Sequence, residues 1–151
     1  MTSWTTRFVA GLARVVAAVT AAGAVPIVHC CAAAPPIAVI AAAGARGMSV
    51  DAGMLDRMGR DDDAIGEAVE DGLALFLGLV PSLGPGVPPA VRAVADPARA
   101  LWRRLGFAPE RLAETVVVTP ACGLAGASVG WMRTAMQLCR QTGRVLAESP
   151  E

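Results

Sequence analysis

The pattern of apolar and polar residues predicts an α/β fold built from repeated βα units. Four short apolar runs have the length of buried strands, and segments with helical spacing of apolar residues lie between them. Alternation of this kind predicts parallel strands joined by right-handed crossovers. The predicted strands are residues 25–28, 47–50 (ending at Asp51), 75–80 and 116–118.

Glycine, proline and capping residues predict where the intervening helices and loops begin and end. The charged stretch 56–63 is predicted to be a surface loop, and 81–89, with four prolines and two glycines, a loop with defined turns. The predicted helices and turns are a first helix through Phe8, Leu12, Val15 or Val16, and Val19 that stops at Gly23; a short helix 37–43; a third capped by Asp63; a fourth opened by Asp96-Pro97 and closed by Gly106; a turn at 109–112; and a last helix capped by Ser128.

A chain of 151 residues is expected to form one domain, and no linker divides it. We therefore predict a single partial βα domain over residues 1–151. A closed (β/α)8 barrel usually needs about 250 residues, so four βα units correspond to half of such a barrel or to a small open sheet.

Composition and charge argue against some partners, and one uncharged segment has a composition that could be mistaken for a membrane or signal segment. The formal net charge is zero, which gives no electrostatic reason to expect binding to nucleic acid or to an anionic membrane. The segment between Arg14 and Arg46 has no charged residue, and it resembles a signal peptide or a membrane span. Because Gly23 and Pro26 interrupt it early, we favour a buried strand between two amphipathic helices, with a secreted or membrane role as the weaker alternative.

Four cysteines, two of them adjacent, are too few for a disulfide scaffold and indicate a reduced, cytoplasmic setting.

The candidate chemistry lies in two short segments that follow predicted strands. His29-Cys30-Cys31 contains the only histidine of the chain, and Pro120-Ala121-Cys122-Gly123-Leu124 contains a further cysteine. Imidazole and thiolate groups at the carboxyl ends of parallel strands are the ligands from which an α/β fold builds a zinc site. Taken singly, each of these residues is more often structural than a metal ligand. Cys30 and Cys139 are assigned to packing, and Cys30 is the weaker alternative to Cys31 as a ligand.

These segments resemble, in order, the C-terminal barrel of cobalamin-independent methionine synthase. His29-Cys30-Cys31 is similar to the family's His-x-Cys ligand pair, the segment 45–51 to the following strand, and residues 120–124 to its Cys-Gly-Leu motif. The resemblance implies zinc ligands at His29, Cys31, Asp51 and Cys122. Asp51 stands where the family more often has Glu, and no histidine occurs in 79–82, where the family has its proton donor.

The resemblance implies a zinc-dependent methyltransferase that moves a methyl group from a methyl-tetrahydrofolate-type donor to a homocysteine-like thiol. It covers nearly the whole chain but only about the last four of the family's eight strands. We therefore expect activity to need a second copy of the chain or a separately encoded front half. The alternative is a truncated paralogue that binds zinc or a partner without turnover.

Overall fold

Alternating apolar residues place all four predicted strands in one parallel sheet. The computed structural model describes residues 3–55 and 59–151. Within them the strands are β1 Ile27–Cys30, β2 Gly47–Asp51, β3 Ala74–Val80 and β4 Val116–Pro120, in the spatial order β1-β2-β3-β4. The helices are α1 Ser3–Ala21, α2 Ile37–Ala42, α3 Asp62–Glu70, α4 Val91–Leu105, α5 Arg111–Thr115 and α6 Val129–Glu148. The predicted α/β class and the all-parallel sheet are confirmed.

The helices form one layer against one face of the sheet. Each strand lies beside its predecessor in the same direction, so right-handed crossovers carry every connecting helix to the same side. The layer runs α1, α2, α3, α4, α6, since each of these helices contacts the next. An all-parallel sheet with helices on one face is consistent with half of a βα barrel.

The core lies between this helix layer and the sheet. Met48, Val50, Leu75 and Leu77 point into it from the two central strands and are almost fully buried. The alternate residues of the strands point to the opposite face of the sheet. There Ile27 is 45% exposed and Val117 is 44% exposed. In a half barrel this is the concave inner face, and it carries the candidate site.

Three of the predicted elements have other bounds in the structure. β1 begins and ends two residues later than predicted, which places His29 inside the strand. α4 begins at Val91, with Pro97 inside it, because the apolar residues of 91–102 already recur at helical spacing before the Asp-Pro pair. The turn predicted at 109–112 leads into the short helix α5.

Other predictions on the loops and caps have mixed outcomes. Ser128 is confirmed as the N-cap of α6, because its hydroxyl accepts a hydrogen bond of 3.1 Å from the backbone N–H of Trp131. The N-cap of α3 is Asp61, and Asp63 lies in the first turn of that helix. The predicted loop 56–63 falls partly on residues 56–58, outside the described residues.

In the described part of the chain, no helix combines the length and the apolar character that a membrane crossing requires.

Candidate metal centre

His29 is held on the inner face of the sheet by its neighbour on β2. The strand register pairs His29 with Ser49, and both side chains lie on the same face. The Nδ1 atom of His29 lies 3.0 Å from the Ser49 Oγ atom, within hydrogen-bond distance. If Nδ1 carries the proton and donates it to Ser49, the lone pair of Nε2 is free to bind a metal.

Cys122 is positioned by two backbone hydrogen bonds just beyond β4. The Ala121 N–H donates to the Val80 carbonyl at 2.8 Å, and the Cys122 N–H donates to the Ser82 hydroxyl at 2.7 Å. Both acceptors belong to the end of β3 and the loop after it. The loop that carries Cys122 is therefore fixed to the neighbouring strand rather than to its own.

Gly78 allows this loop to approach β3 closely. A Cβ atom added at Gly78 would lie 2.5 Å from the Cα atom of Ala121 and 3.0 Å from the Val50 carbonyl oxygen. Real Cβ atoms do not come this close to a backbone atom, so the position accepts only glycine without a shift of the chain. The pairing of β3 with β4 is irregular at the same place, between Gly78 and Val80.

Side chains from the two outermost strands meet across the concave face. β1 and β4 are separated by three strand spacings, which in a flat sheet would be about 14 Å. Nevertheless, Cys122 Sγ lies 3.5 Å from His29 Nε2. Cys31, directly after β1, completes a cluster in which one ligand atom each of His29, Cys31 and Cys122 lies within 4.8 Å of the others.

The spacing of this cluster fits a tetrahedral metal ion. Zinc binds sulfur at about 2.3 Å and imidazole nitrogen at about 2.0–2.1 Å, so the tetrahedral angle puts sulfur and nitrogen ligands about 3.5 Å apart. The distance of 3.5 Å between Cys122 Sγ and His29 Nε2 matches this value. All three residues are exposed, so an ion can reach them from solvent. The three side chains could therefore hold a metal ion with one coordination position open.

The Cys31 thiol is affected by the neighbouring Cys122. The hydrogen bond with Cys122 and the negative charge of its thiolate raise the pKa of the Cys31 thiol above its ordinary value. Two thiolates side by side repel each other, which disfavours the charged form of Cys31. A metal ion removes this repulsion and replaces the proton, as happens when thiolates become ligands.

The remaining predicted candidates lie outside the cluster. The Asp51 carboxylate, at the end of β2, accepts a hydrogen bond of 2.8 Å from the Gly53 N–H and does not belong to the group of three. Its role as a fourth ligand stays a prediction. Cys30 points to the helix side of the sheet and packs against the main core. Cys139 is buried on α6, where burial raises the pKa of its thiol.

The sequence patterns missed the residues that hold the ligands in place. Ser49 and Ser82 orient His29 and Cys122, and Gly78 makes room for the Cys122 loop. Their signals are weak individually: a serine inside a strand, a serine after one, and a glycine within the apolar run of β3. The strand register would have found Ser49, because it stands opposite the only histidine.

No protein-family model, no curated protein and no solved structure matches this chain. The site therefore rests on its own geometry. It is a candidate metal centre.

Proposed function

We propose that the chain binds zinc through His29, Cys31 and Cys122 and presents the open coordination position to a substrate thiol. The observation that carries this is the convergence of three ligand atoms within 4.8 Å from the two edges of the sheet. Two sulfur ligands and one imidazole are a donor set that selects zinc over magnesium or calcium, both of which prefer oxygen ligands. Three protein ligands with a vacant fourth position are typical of catalytic rather than structural zinc.

We further propose a zinc-dependent methyltransferase of the cobalamin-independent methionine synthase class. Zinc bound here would lower the pKa of a homocysteine-like thiol, so that the nucleophilic thiolate is present at neutral pH. Ser49 would hold the imidazole of His29 with its Nε2 atom towards the metal, and Ser82 fixes the backbone that carries the Cys122 thiol. The methyl donor would be of the methyl-tetrahydrofolate type. The order of the motifs along the chain, and their meeting on one concave face, support this proposal.

A partner that completes the barrel fits better as a front-half chain than as a second copy. In a βα barrel each gap between neighbouring strands is covered by one helix. α1 precedes β1 and α6 follows β4, so both outer gaps of this half already have a helix. Two copies paired edge to edge would place α6 of one and α1 of the other over the same gap. A partner with four strands and three helices would fill the barrel without that clash.

The alternative is a protein that binds zinc or a partner without turnover. It is favoured by one observation, the absence of a second histidine anywhere in the sequence that could serve as proton donor to the folate leaving group. In its zinc-binding form the alternative shares the metal site with the methyltransferase and differs only in that no methyl group is transferred.

Zinc content separates these proposals from a structural role of the cysteines. Protein purified without chelator is expected to hold one zinc per chain, and the Cys122→Ser variant to hold little or none. Cobalt substitution should give the absorption bands of a tetrahedral site with thiolate ligands. A wild-type chain that takes up neither metal would refute the metal site.

Formation of methionine from homocysteine and methyl-tetrahydrofolate then tests the transfer. It is measured on the zinc-loaded chain alone and after adding a chain that carries the four front strands of such a barrel with the three helices between them. Turnover lost in the Cys122→Ser variant would support the methyltransferase. Zinc at one per chain with no methionine in either mixture would favour the alternative.

A further inference from the structure

An open cleft lies beside the metal centre on the helix side of the sheet. It is formed where β2 and β3 end against α4, and it has a volume of about 660 Å³. This is within the range of small-molecule binding sites, which lie preferentially beyond the carboxyl ends of parallel strands. Neither His29 nor the thiols of the metal centre line it. We call it the α4 cleft.

The floor of the α4 cleft is apolar and its sides are made of small residues. Leu55, Leu77 and Leu101 are buried side chains that reach its floor. Ala93 and Ala100, on one side of α4, leave the opening wide. Such a surface suits the short hydrocarbon part of a small molecule, since burial of apolar area is worth about 25 cal/mol per Å².

The charged groups at the α4 cleft are mainly acidic. Two acidic residues line it, Asp51 at the end of β2 and Asp96 on α4. Asp96 lies 3.4 Å from the guanidinium of Arg99, which also donates to the Ser149 carbonyl.

Among the described residues the single lining cation is Arg104, and its guanidinium is already bound to Asp62 through two hydrogen bonds of 2.9 and 3.2 Å. The pair of Asp96 with Arg99 is longer, and the Asp96 side chain is 69% exposed, so it offsets less of the carboxylate charge. The described lining of the α4 cleft therefore favours a cation over an anion.

Pro97 leaves a further acceptor at the same opening. In an α-helix the N–H of residue 97 would donate to the carbonyl of residue 93, and proline has no N–H. Ala93 and Pro97 both line the α4 cleft. The carbonyl of Ala93 thus lacks its usual helical donor, and it adds an acceptor to the two carboxylates.

We propose that the α4 cleft binds a small molecule with a protonated primary amine and a short apolar body. An ammonium group has three donors and no acceptor, which matches a rim made of carboxylates and a carbonyl oxygen. The hydrocarbon part lies on the leucine floor. This proposal does not depend on which metal the neighbouring centre holds.

Three ligands of the same length separate charge from apolar contact: hexylammonium, hexanol and hexanoate. Binding is followed by titration of amide chemical shifts in zinc-loaded and in metal-free protein. We expect hexylammonium to bind at least tenfold more tightly than hexanol, to shift amides of α4 and of residues 51–55, and to weaken as salt is raised. We expect no shifts there with hexanoate. Equal affinity for the three ligands, or tighter binding of hexanoate, would overturn the proposal.

Two charge-removing variants and one control locate the recognition. Asp51→Asn removes the charge but keeps an oxygen that can accept from the Gly53 N–H. Asp96→Asn removes the charge on α4. Each is expected to weaken hexylammonium binding about tenfold, whereas Glu110→Gln, an exposed acid away from the α4 cleft, leaves it unchanged. Thermal melts confirm that each variant is folded. Unchanged binding by a folded double variant Asp51→Asn, Asp96→Asn would rule the site out.

Discussion

Substitution of Gly78 by alanine should disable the metal centre without touching any ligand. The added Cβ atom would lie 2.5 Å from Ala121 Cα, whereas ordinary contacts begin at 3.4 Å, so the chain at Ala121 must move by about 0.9 Å. Zinc–ligand distances tolerate only about 0.2 Å. Because Ala121 is bonded to Cys122, the shift exceeds that tolerance several times over.

The expected result of Gly78→Ala is a fall of about 10–100-fold in zinc affinity, similar to the effect of removing groups that orient ligands. Overpacking beside the backbone should also lower the free energy of unfolding by about 1–3 kcal/mol. Zinc affinity is measured by competition with a chromophoric chelator, and stability by urea unfolding of the metal-free protein.

Gly143→Ala is the matched control for this substitution. Gly143 lies in α6, and nothing is within 4 Å of an added Cβ atom. It should keep the wild-type zinc affinity and raise stability by up to about 1 kcal/mol, since alanine favours a helix over glycine. If Gly78→Ala retained both the zinc affinity and the stability of the wild type, the close packing of the Cys122 loop on β3 would not exist in solution.

Further predictions concern the support of the ligands, the thiol pair and the core. Ser49→Ala should lower zinc affinity about tenfold in the same competition assay, because the imidazole loses its orienting partner; an unchanged affinity would mean that the hydrogen bond is dispensable. Mild peroxide treatment of the metal-free protein should join Cys31 to Cys122, seen by mass spectrometry as the loss of two hydrogen atoms per chain, and bound zinc should prevent it. A zinc-loaded chain that oxidised as fast as the metal-free one would contradict this ligand assignment. Trp102→Phe should lower the free energy of unfolding by about 1–3 kcal/mol in urea titrations, because the buried Trp102 side chain loses packed volume together with its hydrogen bond of 2.9 Å to the Ala108 carbonyl; a loss below about 0.5 kcal/mol would contradict the close packing of this ring.

The sequence was sufficient to predict the fold because its signals are local. Each strand is an apolar run of a few residues, and the alternation with helical segments determines a parallel sheet. The site residues His29, Cys31 and Cys122 were found because histidine and cysteine are chemically distinctive. Which of them would meet was not readable from spacing alone, since it depends on the curvature that brings β1 and β4 together.

The errors arose where a local signal competed with a longer pattern. Asp96-Pro97 has the form of a helix start, yet α4 begins at Val91 and accepts the proline in its interior. An interior proline costs about 3 kcal/mol or more in a helix, and the burial of Val94, Leu101 and Trp102 offsets it. The Gly78 contact involves backbone atoms far apart in the sequence, so no propensity could reveal it.

If the cluster binds a metal ion, the position of its residues at the ends of β1 and β4 would make that ion a reporter of synthesis. His29 and Cys122 are 93 residues apart in the chain and meet only when the sheet spans from β1 to β4. A nascent chain emerging from the ribosome therefore presents the His29 segment long before Cys122 is made. Binding of an ion by all three residues would have to wait until translation has passed β4, so it would mark a chain in which β1 to β4 have come together.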